Sequence, residues 1–332
     1  APRFSDTAAL RSRAVRAVSG GGGHSVLVTE NGEVFVCGQN NRGQLGLGHE
    51  ADISFLQHCS GLKHSVTNVA CGWDFTLLVT DSGKVLACGS NAFGQLGVGP
   101  AVMHTADLLF VEDPVVSVAA GLRHSLAVTD SGCVYQWGTG LFSHAKRALS
   151  PRPIPSYLCS KVPCLVPGLD QKTSIFVAAG SLHCVCLTGD GDLFLWGSNK
   201  HCQLTTTEPF LSSPTLMKHS LLDGEKVRNV WSGWTHIIAQ TESGRVFTWG
   251  RGGYGQLGQK TSTNEKAEQQ SAAPLADGGC LFSWGWNEHG MCGDGSQTDV
   301  FQPQLISGLR PLLIGCGAGH SMAVCAATTD SR

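Results

Sequence analysis

A sequence frame that recurs along the chain constrains its fold more than any other feature. Each copy begins with a glycine, which is followed three residues later by histidine or phenylalanine and five residues after that by threonine. A turn glycine comes next, and an anchor glycine stands six residues beyond the turn glycine. Five copies start at Gly21, Gly72, Gly121, Gly180 and Gly233, and three of them continue into Gly-Gln-Leu-Gly. Half-copies follow at 279–293 and 317–320. Constant spacing within copies and variable gaps between them define a repeat architecture.

Each copy of this frame predicts a β-hairpin. In the fifth copy, the short runs 237–240 and 245–249 flank Glu-Ser-Gly. Runs rich in Val, Phe, Leu, Trp and Thr favour strands, and a connector that ends on glycine suits a tight turn whose last residue has positive φ. A small antiparallel sheet cannot bury both of its faces alone. The copies are therefore expected to stack radially, which predicts an all-β fold of the β-propeller type.

Composition narrows the class of protein. The chain has 332 residues, 43 of them glycine, with 14% charged residues and a net charge of −2. No apolar run reaches membrane-spanning length, and no long charged block is present. The sequence therefore predicts neither membrane insertion nor nucleic-acid binding. It also contains no phosphate-binding or nucleophile motif, so we predict no cofactor and no catalytic residue of the covalent kind.

The fourteen cysteines are expected to be reduced rather than disulfide-bonded. Cys37 and Cys88 occupy strand positions at which other copies carry tryptophan, where cysteine behaves as a small hydrophobe. No signal peptide is visible, which favours a cytoplasmic or nuclear location. Cys184 with Cys186, and Cys159 with Cys164, lack the paired Cys-x-x-Cys or histidine spacing of zinc sites, so no metal is predicted.

The repeat pattern also divides the chain. We predict a flexible N-terminal segment at 1–17, a propeller at 18–325 and a tail at 326–332. The proline-rich segment 141–172 predicts either an exposed insertion that carries a specific contact or a long connector between blades. The polar segment 259–277 predicts a disordered or loosely packed loop. The first half of the sixth copy is absent from the pattern, and the final copy supplies only its first half.

The motifs Gly-x-x-His-Ser, Trp-Gly and Gly-Gln-Leu-Gly, in this order, resemble the regulator of chromosome condensation repeat family across residues 18–325. The resemblance implies a seven-bladed β-propeller, here with incomplete sixth and closing blades, and it leaves closure of the ring open.

Members of the family act as exchange factors for small GTPases, as docking domains of ubiquitin ligases and as a plant ultraviolet-B photoreceptor. The photoreceptor function needs several Gly-Trp-x-His copies, whereas this chain has one, and the ligase function needs a catalytic domain that 332 residues do not hold. The resemblance therefore implies a guanine nucleotide exchange factor or regulator of a small GTPase in protein secretion, with an exocyst component as a further partner. The chain is expected to be a monomer. The alternative function is a binding scaffold without exchange activity.

Candidate site residues follow from the resemblance. In the family's exchange factor, acidic and histidine groups stand one or two positions before the repeat histidine, on one rim of the disc. In this chain only one of those positions is acidic, but tryptophan and arginine are enriched at protein-binding hot spots. The predicted partner-binding residues are Trp73, Asp74, Arg123, Trp234, Thr235 and His236. For the two tryptophans, packing against the neighbouring blade is the alternative.

The remaining repeat histidines are predicted to be structural. One histidine per blade at a fixed place is typical of a scaffold, in which a ring nitrogen satisfies a backbone group. These residues are His24, His124, His183 and His320.

Overall fold

The computed structural model describes residues 10, 13–98, 107–109, 113–170, 172–259, 269–270 and 279–325. In these residues the chain forms seven antiparallel sheets, five with four strands and two with two strands. The predicted all-β propeller is confirmed, and within the described residues its sixth and closing blades have two strands each. We number the sheets as blades 1 to 7 in chain order.

The complete blades are four-stranded meanders. Blade 1 contains β1 (Val15–Gly20), β2 (His24–Thr29), β3 (Val34–Gly38) and β4 (Ile53–His58). Blade 2 contains β5 (Val66–Cys71), β6 (Phe75–Thr80), β7 (Val85–Gly89) and β8 (Asp107–Leu109). Blade 3 contains β9 (Val115–Ala120), β10 (Ser125–Thr129), β11 (Val134–Trp137) and β12 (Cys164–Leu165).

The remaining blades continue the same order. Blade 4 contains β13 (Ser174–Ala179), β14 (His183–Thr188), β15 (Leu193–Ser198) and β16 (Phe210–Leu216). Blade 5 contains β17 (Val227–Ser232), β18 (His236–Thr241), β19 (Val246–Gly250) and β20 (Gln269–Gln270). Blade 6 contains β21 (Leu281–Gly285) and β22 (Val300–Ile306), and blade 7 contains β23 (Pro311–Cys316) and β24 (Ser321–Cys325).

The first strands of neighbouring blades contact one another in the order β23, β1, β5, β9, β13, β17. These contacts give the radial arrangement. At the seam between blades 7 and 1, the Ala318 amide donates to the Gly21 carbonyl at 2.9 Å, and Ser25 Oγ lies 2.9 Å from His320 Nε2. The sequence did not decide whether the ring closes at this seam, and in the structure blades 7 and 1 are joined there.

The glycines of the repeat have the conformations that the hairpins require. Turn glycine Gly32 has a φ of 78°, and anchor glycine Gly250 has a φ of 109°. At Gly250 an added Cβ would lie 2.7 Å from the Thr235 carbonyl oxygen. A side chain at that position would therefore meet both backbone strain and a steric clash.

The Gly-Gln-Leu-Gly turns join one blade to the next. Gln95 in blade 2 accepts hydrogen bonds at its backbone carbonyl from Trp137 Nε1 (2.8 Å) and Ser125 Oγ (2.6 Å) of blade 3. The Gln203 carbonyl accepts from Trp249 at 2.9 Å in the same way. The leucine is buried in the three Gly-Gln-Leu-Gly turns and at the equivalent place in blade 4, where the turn is Cys-Gln-Leu-Thr: Leu45, Leu96, Leu204 and Leu257 are 1–3% exposed.

Blade 3 lacks this turn, and a segment with two short helices takes its place. Its segment 141–172 forms helix α1 (Phe142–Leu149) and a short 3-10 helix at Ser156–Leu158 before β12. Leu141, Ala145 and Leu149 lie on one helical face and are buried between blades 3 and 4. The expectation of an exposed insertion was wrong for these residues, and the connector alternative fits. The four-residue spacing of the apolar residues, rather than the prolines, was the informative signal.

The predicted boundaries need two corrections. β1 begins at Val15, so residues 15–17 belong to the propeller rather than to a flexible N-terminal segment. Gln269–Gln270, within the segment predicted to be loose, pairs with β19. Of the segments predicted to be flexible or loose and the predicted tail, residues 1–9, 11–12, 260–268, 271–277 and 326–332 lie outside the described residues.

Candidate functional site

One face of the disc gathers the loops that precede the repeat histidines. We call it the loop face and define it by residues 21–23, 72–74, 121–123, 180–182, 233–235 and 317–319 with the turns that follow the anchor glycines. The two sets of loops are joined by backbone hydrogen bonds. The Ser90 amide donates to the Asp74 carbonyl at 2.9 Å, and the Arg251 amide donates to the Thr235 carbonyl at 3.0 Å.

Backbone hydrogen bonds also connect these loops around the axis. The bonds are Ala318 N to Gly21 O (2.9 Å), Gly22 N to Trp73 O (2.9 Å), Trp73 N to Gly121 O (3.3 Å), Leu122 N to Ser181 O (3.3 Å) and Ser181 N to Trp234 O (2.8 Å). Because these bonds join the loops of blades 7, 1, 2, 3, 4 and 5 in succession, the side chains on this part of the face are held at defined positions.

Trp73 and Trp234 meet across the axis. They come from blades 2 and 5, which are not adjacent, yet their ring centroids are 5.5 Å apart with an interplanar angle of 31°. Trp73 remains 44% exposed. An added Cβ at Gly22 would lie 2.9 Å from the Trp73 ring, so that glycine makes room for the indole. The pair forms an exposed aromatic surface of the kind that anchors protein partners.

Asp74 and Arg123 lie beside this pair. Asp74 is half-buried, and burial raises the pKa of its carboxyl, while a hydrogen bond with Ser90 and the guanidinium groups of Arg42 and Arg123 oppose that rise. Arg123 is exposed, and its guanidinium carbon lies 4.1 Å from the centroid of the Phe93 ring. This stacking holds the guanidinium flat while its N–H groups stay available for hydrogen bonding.

Thr235 and His236 contribute less to the surface. Thr235 accepts the Arg251 amide through its backbone carbonyl, and its side chain is only partly exposed. Burial lowers the pKa of His236 to about 4, so the ring is neutral at physiological pH. This environment matches that of the structural histidines, and it separates His236 from the other five candidates.

Three of the repeat histidines, His24, His183 and His320, form hydrogen bonds to the neighbouring blade. His24 Nε2 lies 2.9 Å from Thr76 Oγ1 in blade 2, and His183 Nε2 lies 2.8 Å from Ser232 Oγ in blade 5. Burial lowers the pKa of His24 and of His124 to about 4 and that of His183 to about 3. The prediction that the ring nitrogens satisfy backbone groups was wrong for His24, His183 and His320. Their partners are hydroxyl groups of the next blade, which the repeat frame alone does not identify.

A cleft of about 270 Å³ opens on the loop face next to Arg123. Phe93, Leu122, Phe142 and Leu182 supply its apolar walls, and Arg123 and His144 supply charged or chargeable groups. Sequence reasoning found Arg123 but missed Phe93, Phe142 and His144. The departure of blade 3 from the Gly-Gln-Leu-Gly turn was the signal that marked this region.

The described residues contain no cluster of three or more histidine, cysteine or acidic side chains that could hold a metal ion. All fourteen cysteines lie in this part of the chain and are free thiols. No helix among the described residues is long and apolar enough to cross a bilayer.

The seven repeat-built blades and the inter-blade turn bonds define a propeller of the RCC1-like type. A family model described as the RCC1-like domain matches residues 2–323, and the chain belongs to that family.

Among known proteins, the secretion-regulating guanine nucleotide exchange factor of Bos taurus is 45% identical over 356 residues, covering 95% of this chain and 76% of that protein. The crystal structure of human WBSCR16 superposes with a TM-score of 0.80 at 26% identity, covering 95% of this chain and 87% of that chain. Prp20p of Saccharomyces cerevisiae superposes with a TM-score of 0.80 at 20% identity, covering 98% of this chain and 86% of that chain, which supports the fold alone.

Proposed function

We propose that the protein is a guanine nucleotide exchange factor or regulator of a small GTPase in protein secretion, and that the loop face docks the GTPase. The observation that carries this proposal is the 45% identity to the bovine secretion-regulating exchange factor over 95% of this chain. The hydrogen-bonded loops and the exposed indole pair supply a rigid docking surface in support.

Exchange of this kind needs no covalent chemistry. A rigid face that binds the nucleotide-free GTPase more tightly than the nucleotide-bound form lowers nucleotide affinity by the same coupling free energy. The hydrogen bonds that join the loops from blade 7 through blade 1 to blade 5 favour such a role, because a pre-organised surface spends less binding energy on its own ordering. Trp73, Trp234 and Arg123 are the proposed contacts, with Asp74 and Thr235 at their edges.

A non-catalytic scaffold is the second candidate function. The observation that favours it is the scarcity of carboxylates on the loop face, where Asp74 is the one acidic residue among the loops that precede the repeat histidines of blades 1 to 5. A scaffold would bind its partner through the same tryptophans without altering nucleotide affinity.

A nucleotide-release panel distinguishes the two functions. The purified chain is mixed with small GTPases loaded with fluorescent GDP, and release and binding are followed in parallel. We expect faster nucleotide release from at least one GTPase. The double variant Trp73→Ala plus Trp234→Ala should reduce that acceleration about tenfold or more, which is the size of a hot-spot effect.

The matched control is Trp231→Ala. Trp231 is 47% exposed in β17, outside the loop face, and its replacement is expected to leave release unchanged. Binding without accelerated release would favour the scaffold. If the chain neither binds any GTPase of the panel nor accelerates its nucleotide release, both functions are contradicted.

We further propose an exocyst component as a second partner, a monomeric state, and a location in cytoplasm and nucleus. The similarity to the secretion-regulating relative motivates the exocyst proposal. The free thiols of all fourteen cysteines motivate the proposed location. Co-precipitation, sedimentation velocity and imaging of a tagged chain test the three in turn. Absence of the exocyst from precipitates, a sedimenting dimer or a purely luminal signal would contradict them.

A further inference from the structure

The charges on the loop face are unevenly distributed. Across blades 1 to 5, one carboxylate, Asp74, and six permanent cations lie in the loops before the repeat histidines, in helix α1 and in the turn segments 39–46, 90–97, 199–205 and 251–258. These cations are Arg42, Arg123, Lys146, Arg147, Lys200 and Arg251. Glu50, Asp52 and Glu208 follow further along the same connections. The corresponding turn segment of blade 6, 286–293, contains one acidic residue, Glu288, and no lysine or arginine, and Asp294 and Asp299 follow it. These segments are therefore basic over blades 1 to 5 and acidic at blade 6, although the chain as a whole has a net charge of −2.

The basic groups form a connected arc. Arg42 and Arg123 both act on the Asp74 carboxyl, and Lys200 acts on both His144 and His201. Charges influence one another in this way mainly when they lie within about 10 Å. The arc therefore passes from blade 1 across the cleft to blades 4 and 5.

The cleft beside Arg123 is the place on this arc where a side chain can enter. Its volume of about 270 Å³ and its walls of Phe93, Phe142, Leu122 and Leu182 suit one or two side chains of a partner. Among the described residues Arg123 forms no ion pair within 4.0 Å, and its guanidinium is held against Phe93. A guanidinium fixed in this way is pre-organised to donate two parallel hydrogen bonds to a carboxylate.

The surroundings favour a protein over a nucleic acid. The exposed indole pair lies on the same face, and the acidic blade 6 loop would repel a continuous phosphate backbone. A protein with a local acidic segment satisfies both features, because it can place carboxylates on the arc and other groups over blade 6.

We propose that the cleft between blades 2, 3 and 4 seats an aspartate or glutamate side chain from an acidic segment of the docked protein, with Arg123 as its hydrogen-bond donor and the basic arc steering the approach. This deepens the proposed function, on which it rests for the identity of the partner.

The test uses a fluorescein-labelled oligoglutamate peptide and fluorescence anisotropy with the full chain. We expect binding that weakens as salt is added, and a loss of roughly tenfold or more with Arg123→Glu, the size of one charge-assisted hydrogen bond. Asp74→Asn removes the carboxylate that interacts with Arg42 and Arg123, and it is expected to tighten binding. Arg228→Ala, which alters an exposed arginine of β17, is the matched control and should leave affinity unchanged.

Three results would overturn the inference. The first is binding of a serine-glycine peptide of equal length as tightly as the acidic peptide. The second is unchanged affinity with Arg123→Glu and Asp74→Asn. The third is tighter binding of a single-stranded oligonucleotide, which would assign the arc to nucleic acid. The peptide assay contains no GTPase, so a negative nucleotide-release panel beside positive peptide binding would contradict the proposed function alone.

Discussion

Blades 5 and 7 contain hairpins of the same register whose side chains are buried to very different extents. Val230 of β17 pairs with Ala239, and Ile314 of β23 pairs with Ala323. In each strand the pairing register shifts two residues earlier, at position 228 in β17 and at position 312 in β23. Val230 is 2% exposed, whereas Ile314 is 60% exposed. The hairpin therefore forms from local sequence, but burial of its face depends on the neighbouring blade.

The seams show the same contrast. Four buried apolar clusters lie between successive pairs of blades from 1 to 5 in the described residues. Blade 6 is described by β21 and β22, which correspond to the outer half of a complete blade. No inner strands of blade 6 are described beside blade 7, and Leu312 of blade 7 is 68% exposed as well. Stability is thus expected to be concentrated in blades 1 to 5.

The largest predicted effect compares two tryptophans in equivalent strands. Trp196 in blade 4 is fully buried and donates to Gln136 Oε1 at 2.7 Å, whereas Trp284 in blade 6 is partly exposed and donates to the Gln256 carbonyl at 3.0 Å. We expect Trp196→Ala to lower the free energy of unfolding by about 3–5 kcal/mol. Trp284→Ala should lower it by less than half as much. Urea denaturation measures both, and equal losses would contradict the contrast between the blades.

The next effect is the dependence of stability on pH. The pKa of His183 is about 3 in the folded chain, below its ordinary value of about 6.5, so the unfolded chain binds the proton more tightly. Stability is full above pH ~6.5 and falls as the pH drops, by about 2 kcal/mol at pH 5 for this histidine. His183→Gln should reduce the loss between pH 7 and pH 5.

A matched variant extends this comparison to the last blade. His320 in blade 7 is half-buried and its pKa is lowered by burial, so His320→Gln should flatten the pH profile less than His183→Gln does. Thermal melting at both pH values measures the two slopes. A profile unchanged by either variant would show that other groups govern acid unfolding.

The smallest predicted effect uses the paired positions themselves. Val230→Ala removes buried methyl groups and is expected to cost about 1–2 kcal/mol, whereas Ile314→Ala should stay within about 0.5 kcal/mol because its side chain is exposed. Denaturant midpoints of the two variants provide the measurement. A large loss at Ile314 would mean that another part of the chain covers blade 7 in solution.

Much of the architecture could be predicted from the sequence because its determinants are local. Turn glycines such as Gly32 need positive φ, and the leucine of each Gly-Gln-Leu-Gly turn needs burial, so both leave a fixed spacing in the chain. The same spacing identified Trp73 and Trp234 as members of one face. It did not show that their rings touch, because that contact joins blades separated by about half of the ring.

What the sequence by itself determined is the repeating hairpin, the glycine geometry and the family to which the chain belongs, since each follows from residues a few positions apart. Only the tertiary structure decided that one face of α1 is buried, that three of the repeat histidines bond hydroxyl groups of the next blade, and that Arg123 stacks on Phe93 beside a cleft. These features depend on side chains from different blades meeting in space, and their distance along the chain leaves no regular pattern.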